Sequence, residues 1–282
     1  MRGQGGSGVR GAAGPGRQRY ELPVIWPWLL RGFLAYAPGY VKKHLHSVRV
    51  AGAEHFGAAK DSALVIYMNH ASWWDPMMAA LLAGKYLQGR AHYTPIDAEA
   101  LGKYKFFGKI GFFGVERGRV SGARKLLEVG GRILERKDAV LWITPQGRFA
   151  DVRERPVKFE AGLANLLVRA PQCTVVPMAM EYVHWEERTP EALVKIGESV
   201  VVDGGMSARE LNGILEARLE ASMDALAKAA IARNVAGFES MLEGKAGVGG
   251  FYDRWRALAA MMGGREFEAA HGRKLGGSKI VD

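Results

Sequence analysis

Short, nearly unbroken apolar runs alternate with longer stretches of helical period along most of this chain. His46–Ala51, Ala63–Met68, Ala139–Ile143 and Thr174–Met180 are rich in Val and Ile and bounded by polar residues, which predicts buried strands. Ala192–Val202 reads as one further strand. Between them, Asp75-Pro76 opens an apolar helix over Pro76–Leu87, with Asp75 placed to cap it and proline in the first turn. Ala123, Leu126, Leu127, Ile133 and Leu134 recur at helical spacing within Ser121–Arg136, and Leu163–Arg169 is a shorter helix. Ser207-Ala-Arg-Glu210 forms a capping box ahead of Leu211, Leu215, Leu219 and Leu226, which share one helix face. The alternation predicts an α/β fold: a mixed central sheet flanked by helices, with the chemistry on loops at strand ends.

The two ends depart from this pattern. Residues 1–20 are Gly-rich and basic, the pattern of a flexible tail, and lack the apolar core of a secretory signal. Residues 21–45 set Trp26, Trp28, Phe33, Tyr36 and Tyr40 among aliphatics, followed by Lys42, Lys43, His44 and His46. Rings with a polar edge beside cations suit a lipid headgroup layer, so this segment is predicted to be an interfacial helix with its histidines exposed or near headgroups. The first fifty residues hold eight Lys/Arg against the single acid Glu21, most of the net +10 of a 282-residue chain. Residues 46–243 form the main domain, and 244–282 are a Gly-rich extension. No run reaches the ~18 uncharged apolar residues of a membrane span. The single cysteine, Cys173, excludes an internal disulfide and reads as a buried thiol. The histidines have no partners at metal-ligand spacing, and no nucleic-acid module accompanies the basic tail. No metal, cofactor or nucleic acid is expected.

The densest chemistry is Asn69-His70-Ala-Ser-Trp-Trp-Asp75, directly after a predicted strand. Residues five apart do not share a helix face, but a turn into a helix brings them together. A carboxylate there accepts a hydrogen bond from one imidazole nitrogen, fixes the tautomer and raises the basicity of the other nitrogen. Taken alone, Asp75 reads as a plain helix cap. Ser72 lacks the G-x-S-x-G surroundings of a nucleophile elbow.

Further blocks follow in order: Gly114-Val-Glu-Arg117, Thr144-Pro-Gln-Gly-Arg148 and Val175-Val-Pro177. Over about residues 46–200 this series resembles the glycerolipid and lysophospholipid acyltransferase family, of the 1-acylglycerol-3-phosphate acyltransferase type. The resemblance implies that His70 is the catalytic base and Asp75 its orienting acid. It implies that Arg117 meets the acceptor's phosphate and that Gln146, Gly147 and Arg148 belong to acceptor binding. Two positions depart from the family pattern. Gln146 stands where glutamate is usual, and Arg148 follows Gly147 directly where a threonine normally precedes the arginine.

Asn69, Arg117, Gln146, Gly147, Arg148 and Lys158 are therefore the candidate substrate-binding residues, and Arg117, Arg119, Arg148, Arg153 and Lys158 would rim a positive cleft. The expected reaction passes an acyl chain from acyl-CoA or acyl carrier protein to a lysophospholipid hydroxyl, with amides at the start of the helix after Asp75 as oxyanion donors. A glycolipid, aminolipid or glycosylated terpenoid is the alternative acceptor, and a non-catalytic lipid-binding protein the alternative role. Trp73, Trp74, Phe106, Phe107, Phe112 and Phe113 are either an acyl-chain tunnel or core. The expected location is peripheral, on the cytoplasmic face of a membrane.

Overall fold

The structure, a computed structural model, describes residues 20–170, 173–202 and 205–244; the basic tail (residues 1–19) and the extension from residue 245 onward lie outside them. In chain order the elements are α1 (Pro27–His44), β1 (Ser47–Ala51), β2 (Leu64–Met68), α2 (Asp75–Tyr86), β3 (Ala91–Asp97), α3 (Ala98–Lys103), β4 (Phe112–Val115), α4 (Val120–Leu134), β5 (Ala139–Ile143), α5 (Gly162–Leu167), β6 (Cys173–Val183), β7 (Glu191–Ile196), β8 (Val200–Val202), α6 (Ala208–Ile231) and β9 (Glu239–Glu243). The strands form one nine-stranded mixed sheet in the order β4-β3-β5-β2-β6-β7-β1-β9, with β8 beside β6. From β4 to β6 neighbours run parallel; β7 turns antiparallel to β6, and β9 antiparallel to β1.

Burial of the central strands on both faces explains why they read as unbroken apolar runs. On β2, Leu64, Ile66 and Met68 join one core while Val65 and Tyr67 join the other. The first core is closed by α1 and α2, through Ala37, Val41, Met78 and Leu82. The second is closed by α4, α5 and α6, through Ile133, Leu166, Leu211, Leu215 and Leu219. The capping box forms as the sequence implies: Ser207 Oγ accepts from the Glu210 N–H, and the Glu210 carboxylate accepts from the Ser207 N–H.

Three expectations change. Ala192–Val202 is two strands, because Pro177 opposite has no N–H to continue the ladder; its carbonyl accepts from Gly197 at 2.9 Å. A β-carbon at position 197 would lie 2.6 Å from Ser222 Oγ and 2.8 Å from the Pro177 ring, so the break needs glycine. Asp75 is not a side-chain cap for α2: the N-cap is Trp74, without a capping hydrogen bond, and the Asp75 carboxylate is used elsewhere. His44 and His46 are half-buried rather than exposed; His44 Nδ1 lies 2.8 Å from the Tyr40 carbonyl, its ring packed between Tyr40 and Trp74.

Candidate active site

β2 ends at Met68, and the next residues turn across the carboxyl ends of β5 and β6. Asn69 fixes that turn. Its fully buried amide donates to the Met180 carbonyl at 2.9 Å and accepts from the Met180 N–H at 2.8 Å, tying the loop to β6 just beyond the β2–β6 ladder. With both amide ends taken and the side chain buried, Asn69 positions the loop rather than presenting a contact to substrate, which corrects its expected role.

His70 Nδ1 lies 2.7 Å from Asp75 Oδ2. The same oxygen accepts from the Ser72 N–H at 3.1 Å, and the other, Oδ1, accepts from the Tyr182 hydroxyl at 2.9 Å. An ionised carboxylate only accepts, so Nδ1 carries the proton and Nε2 holds the free lone pair. Asp75 is buried, while the His70 side chain keeps 22% of its exposure. Tyr182 is half-buried; the desolvation of its hydroxyl, together with the adjacent carboxylate, pushes it well above the ordinary tyrosine range and keeps it a donor.

The loop after β5 closes on His70 from the other side. Gln146 Oε1 accepts from the His70 N–H at 3.2 Å, and the Ala150 N–H donates to the His70 carbonyl at 2.9 Å. Both backbone groups of His70 are thus pinned by one turn. Gly147 allows that turn with φ 66°, and a β-carbon there would press on Glu160 at 3.0 Å. Phe149 stacks on the imidazole, centroids 3.9 Å apart and planes 26° from parallel, yet stays 59% exposed. Neither Tyr182 nor Phe149 was singled out by sequence: Tyr182 lies 107 residues from its partner, and one exposed phenylalanine carries no periodic signal.

Residues 47–181 match the family model described as Acyltransferase. The match takes in the loop that carries His70 and Asp75. No curated protein matches the chain significantly. Among solved structures it is similar to the crystal structure of the 1-acyl-sn-glycerophosphate (LPA) acyltransferase PlsC from Thermotoga maritima, at 16% identity and TM-score 0.50, covering 70% of this chain and 79% of that one. That likeness is one of fold. The chain thus has the α/β architecture with a mixed, helix-flanked sheet that its hydrophobic pattern predicts.

The positive rim does not form as expected. Arg148 pairs with Glu154, Arg153 grips Asp151 in a fork, and Lys158 lies 3.1 Å from Glu216 on α6. Arg117 and Arg119 are exposed and have no ion-pair partner among the described residues, but they follow β4, three strand positions from β2. At about 4.8 Å per strand, β4 lies ~14 Å to the side of β2. The expected oxyanion donors are committed as well: around the start of α2 the N–H groups of Ser72, Trp74, Asp75, Met77 and Met78 all have local acceptors, and Pro76 has none. The aromatic residues split: Phe113 is core, Phe106 and Trp73 are exposed, and Phe112 lines an apolar cavity of about 40 Å³ with Phe33, Pro76, Ala80, His92 and Trp142. Cys173 is buried at the start of β6, and burial pushes its thiol up to about 11. Among the described residues no cluster of His, Cys, Asp or Glu could hold a metal ion.

Proposed function

We propose that this domain transfers a fatty acyl chain from an acyl thioester to a hydroxyl of a membrane-resident lysolipid, with His70 as general base. One observation carries the reading: an imidazole whose Nδ1 is 2.7 Å from a buried, triply hydrogen-bonded carboxylate, in a domain of the acyltransferase family. The acceptor hydroxyl binds at Nε2, which takes its proton as the oxygen attacks the thioester carbonyl. Asp75 stabilises the imidazolium, the carbon–sulfur bond breaks, and the departing thiolate takes the proton back from Nε2. Pinning both backbone groups of His70 holds the ring in place without cost at the moment of reaction. No covalent acyl-enzyme is needed, consistent with the inert Cys173.

The donor is acyl-CoA or acyl carrier protein. Arg117 and Arg119 support this reading, because phosphates at the far end of a pantetheine arm, or an acidic carrier surface, suit cations set well aside from the reacting atoms. Membrane contact is supported by α1. One face packs on α2, while Trp28 (64% exposed) and Tyr36 (58%) point outward, Lys109 stands over the Trp26 ring at 4.8 Å, and Lys42 and Lys43 end the helix. No helix among the described residues is long and apolar enough to cross a membrane. We place the domain peripherally on the cytoplasmic face, where thioester donors occur.

Two acceptor classes follow. One is 1-acylglycerol-3-phosphate, the substrate named for the Thermotoga maritima protein; the other is an uncharged lipid such as a glycolipid, favoured by the pairing of Arg148 with Glu154. The test supplies purified protein with one labelled acyl thioester and mixed lysolipids in micelles. A new diacylated product supports the reading. Free fatty acid alone, with acceptor in excess, identifies a thioester hydrolase instead, and an untouched thioester leaves a lipid-binding protein.

A further inference from the structure

Around His70 the surface is aromatic where a phosphate site would be cationic. Phe149, two positions after Gly147, lays its ring over the imidazole, and Trp73, 63% exposed, stands on the turn after β2 that carries His70, against Trp74. The three nearby cations of the sequence are each answered by a carboxylate of the chain itself: Arg148 by Glu154, Arg153 by Asp151, Lys158 by Glu216. The two with no ion-pair partner among the described residues, Arg117 and Arg119, follow β4, a strand ~14 Å to the side of β2. A phosphate monoester one or two carbons from the attacking hydroxyl would bring a charge of about −1.5 to −2 against these rings. Its desolvation would go uncompensated. A sugar or glycerol headgroup meets no such penalty: its C–H faces pack on aromatic rings and its remaining hydroxyls stay in water.

Building on the acyl-transfer reading, we propose that the acceptor hydroxyl of this protein belongs to an uncharged headgroup, a sugar- or glycerol-bearing lipid, and that Phe149 sets this preference by occupying the ground beside His70 where a phosphate-binding cation would stand. Phe149 acts on which acceptor seats, not on the proton transfer.

The experiment compares initial rates with one acyl-CoA and three acceptors in the same neutral micelles: monoacylglycerol, monohexosyl-monoacylglycerol and lysophosphatidate. The wild-type protein is expected to acylate at least one uncharged acceptor about tenfold or more faster than lysophosphatidate, the scale on which a pocket discriminates headgroups. Phe149→Arg is expected to raise the lysophosphatidate-to-neutral ratio about tenfold, and Glu154→Gln, which releases Arg148, to raise it in the same direction. Phe149 and Glu154 lie at the surface, so circular dichroism and the thermal midpoint should match the wild type; the wild-type panel is decisive in any case. A wild-type preference for lysophosphatidate, or a ratio unmoved by Phe149→Arg, overturns this inference while leaving acyl transfer intact. Failure to acylate any acceptor overturns the underlying reading and this inference together.

Discussion

Asp75 accepts three hydrogen bonds from two parts of the chain: the His70 imidazole and the Ser72 amide on its own turn, and the phenol of Tyr182 on β6. Each constrains a different degree of freedom of the carboxylate, so its oxygens are not interchangeable: Oδ2 faces His70 and Oδ1 faces Tyr182. His70→Ala should lower turnover by about 10²–10⁴-fold, with lipid binding measured on the same preparation unchanged. Tyr182→Phe should lower kcat several-fold at constant KM; an unchanged kcat would make the phenol a packing group only. His92 offers a separate residue-scale test. Trp142 Nε1 donates to its Nδ1 at 3.1 Å, and burial pulls the ring from the ordinary histidine value down to about 4. Because the folded form resists the proton, the unfolded chain binds it first as pH falls below about 6.5. The stability of the wild type relative to His92→Gln should therefore fall from pH 6.5 to 4 and be constant above, read from urea midpoints. At this scale the His70–Asp75 pair was legible because both partners lie in one short turn. Asn69, Phe149 and Tyr182 were not, since their roles come from contacts across the sheet or between loops that spacing does not encode.

The elements that hold the site are strapped from outside it. Glu216 and Glu220, one turn apart on α6, accept from the N–H groups of Phe159 and Val157 at 2.8 and 2.7 Å, and Asp224, one turn further, takes the Arg155 guanidinium. One acidic face of a helix thus fixes the path of residues 155–159, the continuation of the loop that clasps His70. Glu220→Ala leaves the Val157 amide unpaired in a buried setting, an expected loss of about 1–3 kcal/mol in the urea-derived stability; Glu220→Gln should recover part of it. Strands β2, β5 and β6 were legible because both their faces are buried. β3 and β9 were not: β3 (AHYTPID) mixes polar and apolar positions along a half-buried path, and β9 (ESMLE) is a largely exposed edge with a single buried leucine. The split of β7 from β8 was hidden because Val and Ile flank the break on both sides, and the cause sits on another strand at Pro177.

On the scale of the whole molecule, α1 and the segment around Lys109 present exposed aromatic rings and cations, Trp28, Tyr36, Lys42 and Lys43 among them. Trp28→Ala with Tyr36→Ala should weaken sedimentation with vesicles containing anionic lipid severalfold. Lys42→Glu with Lys43→Glu should remove the salt dependence of that binding, since exposed charges are screened within ~10 Å at 0.1 M salt. Retained binding in both variants would place the contact elsewhere. The layered α/β architecture was legible in the alternation of elements. The fate of the cations was not: composition counts Arg148, Arg153 and Lys158 as positive charge, whereas the fold sets a carboxylate against each.

The position of Cys173 has a practical consequence. The sole sulfhydryl of the chain is sealed beneath the sheet and stays protonated at neutral pH. Ellman-type chromogens will therefore register only coenzyme A liberated by turnover and will leave the catalyst untouched, so the reaction can be followed continuously in a cuvette without mutating the protein.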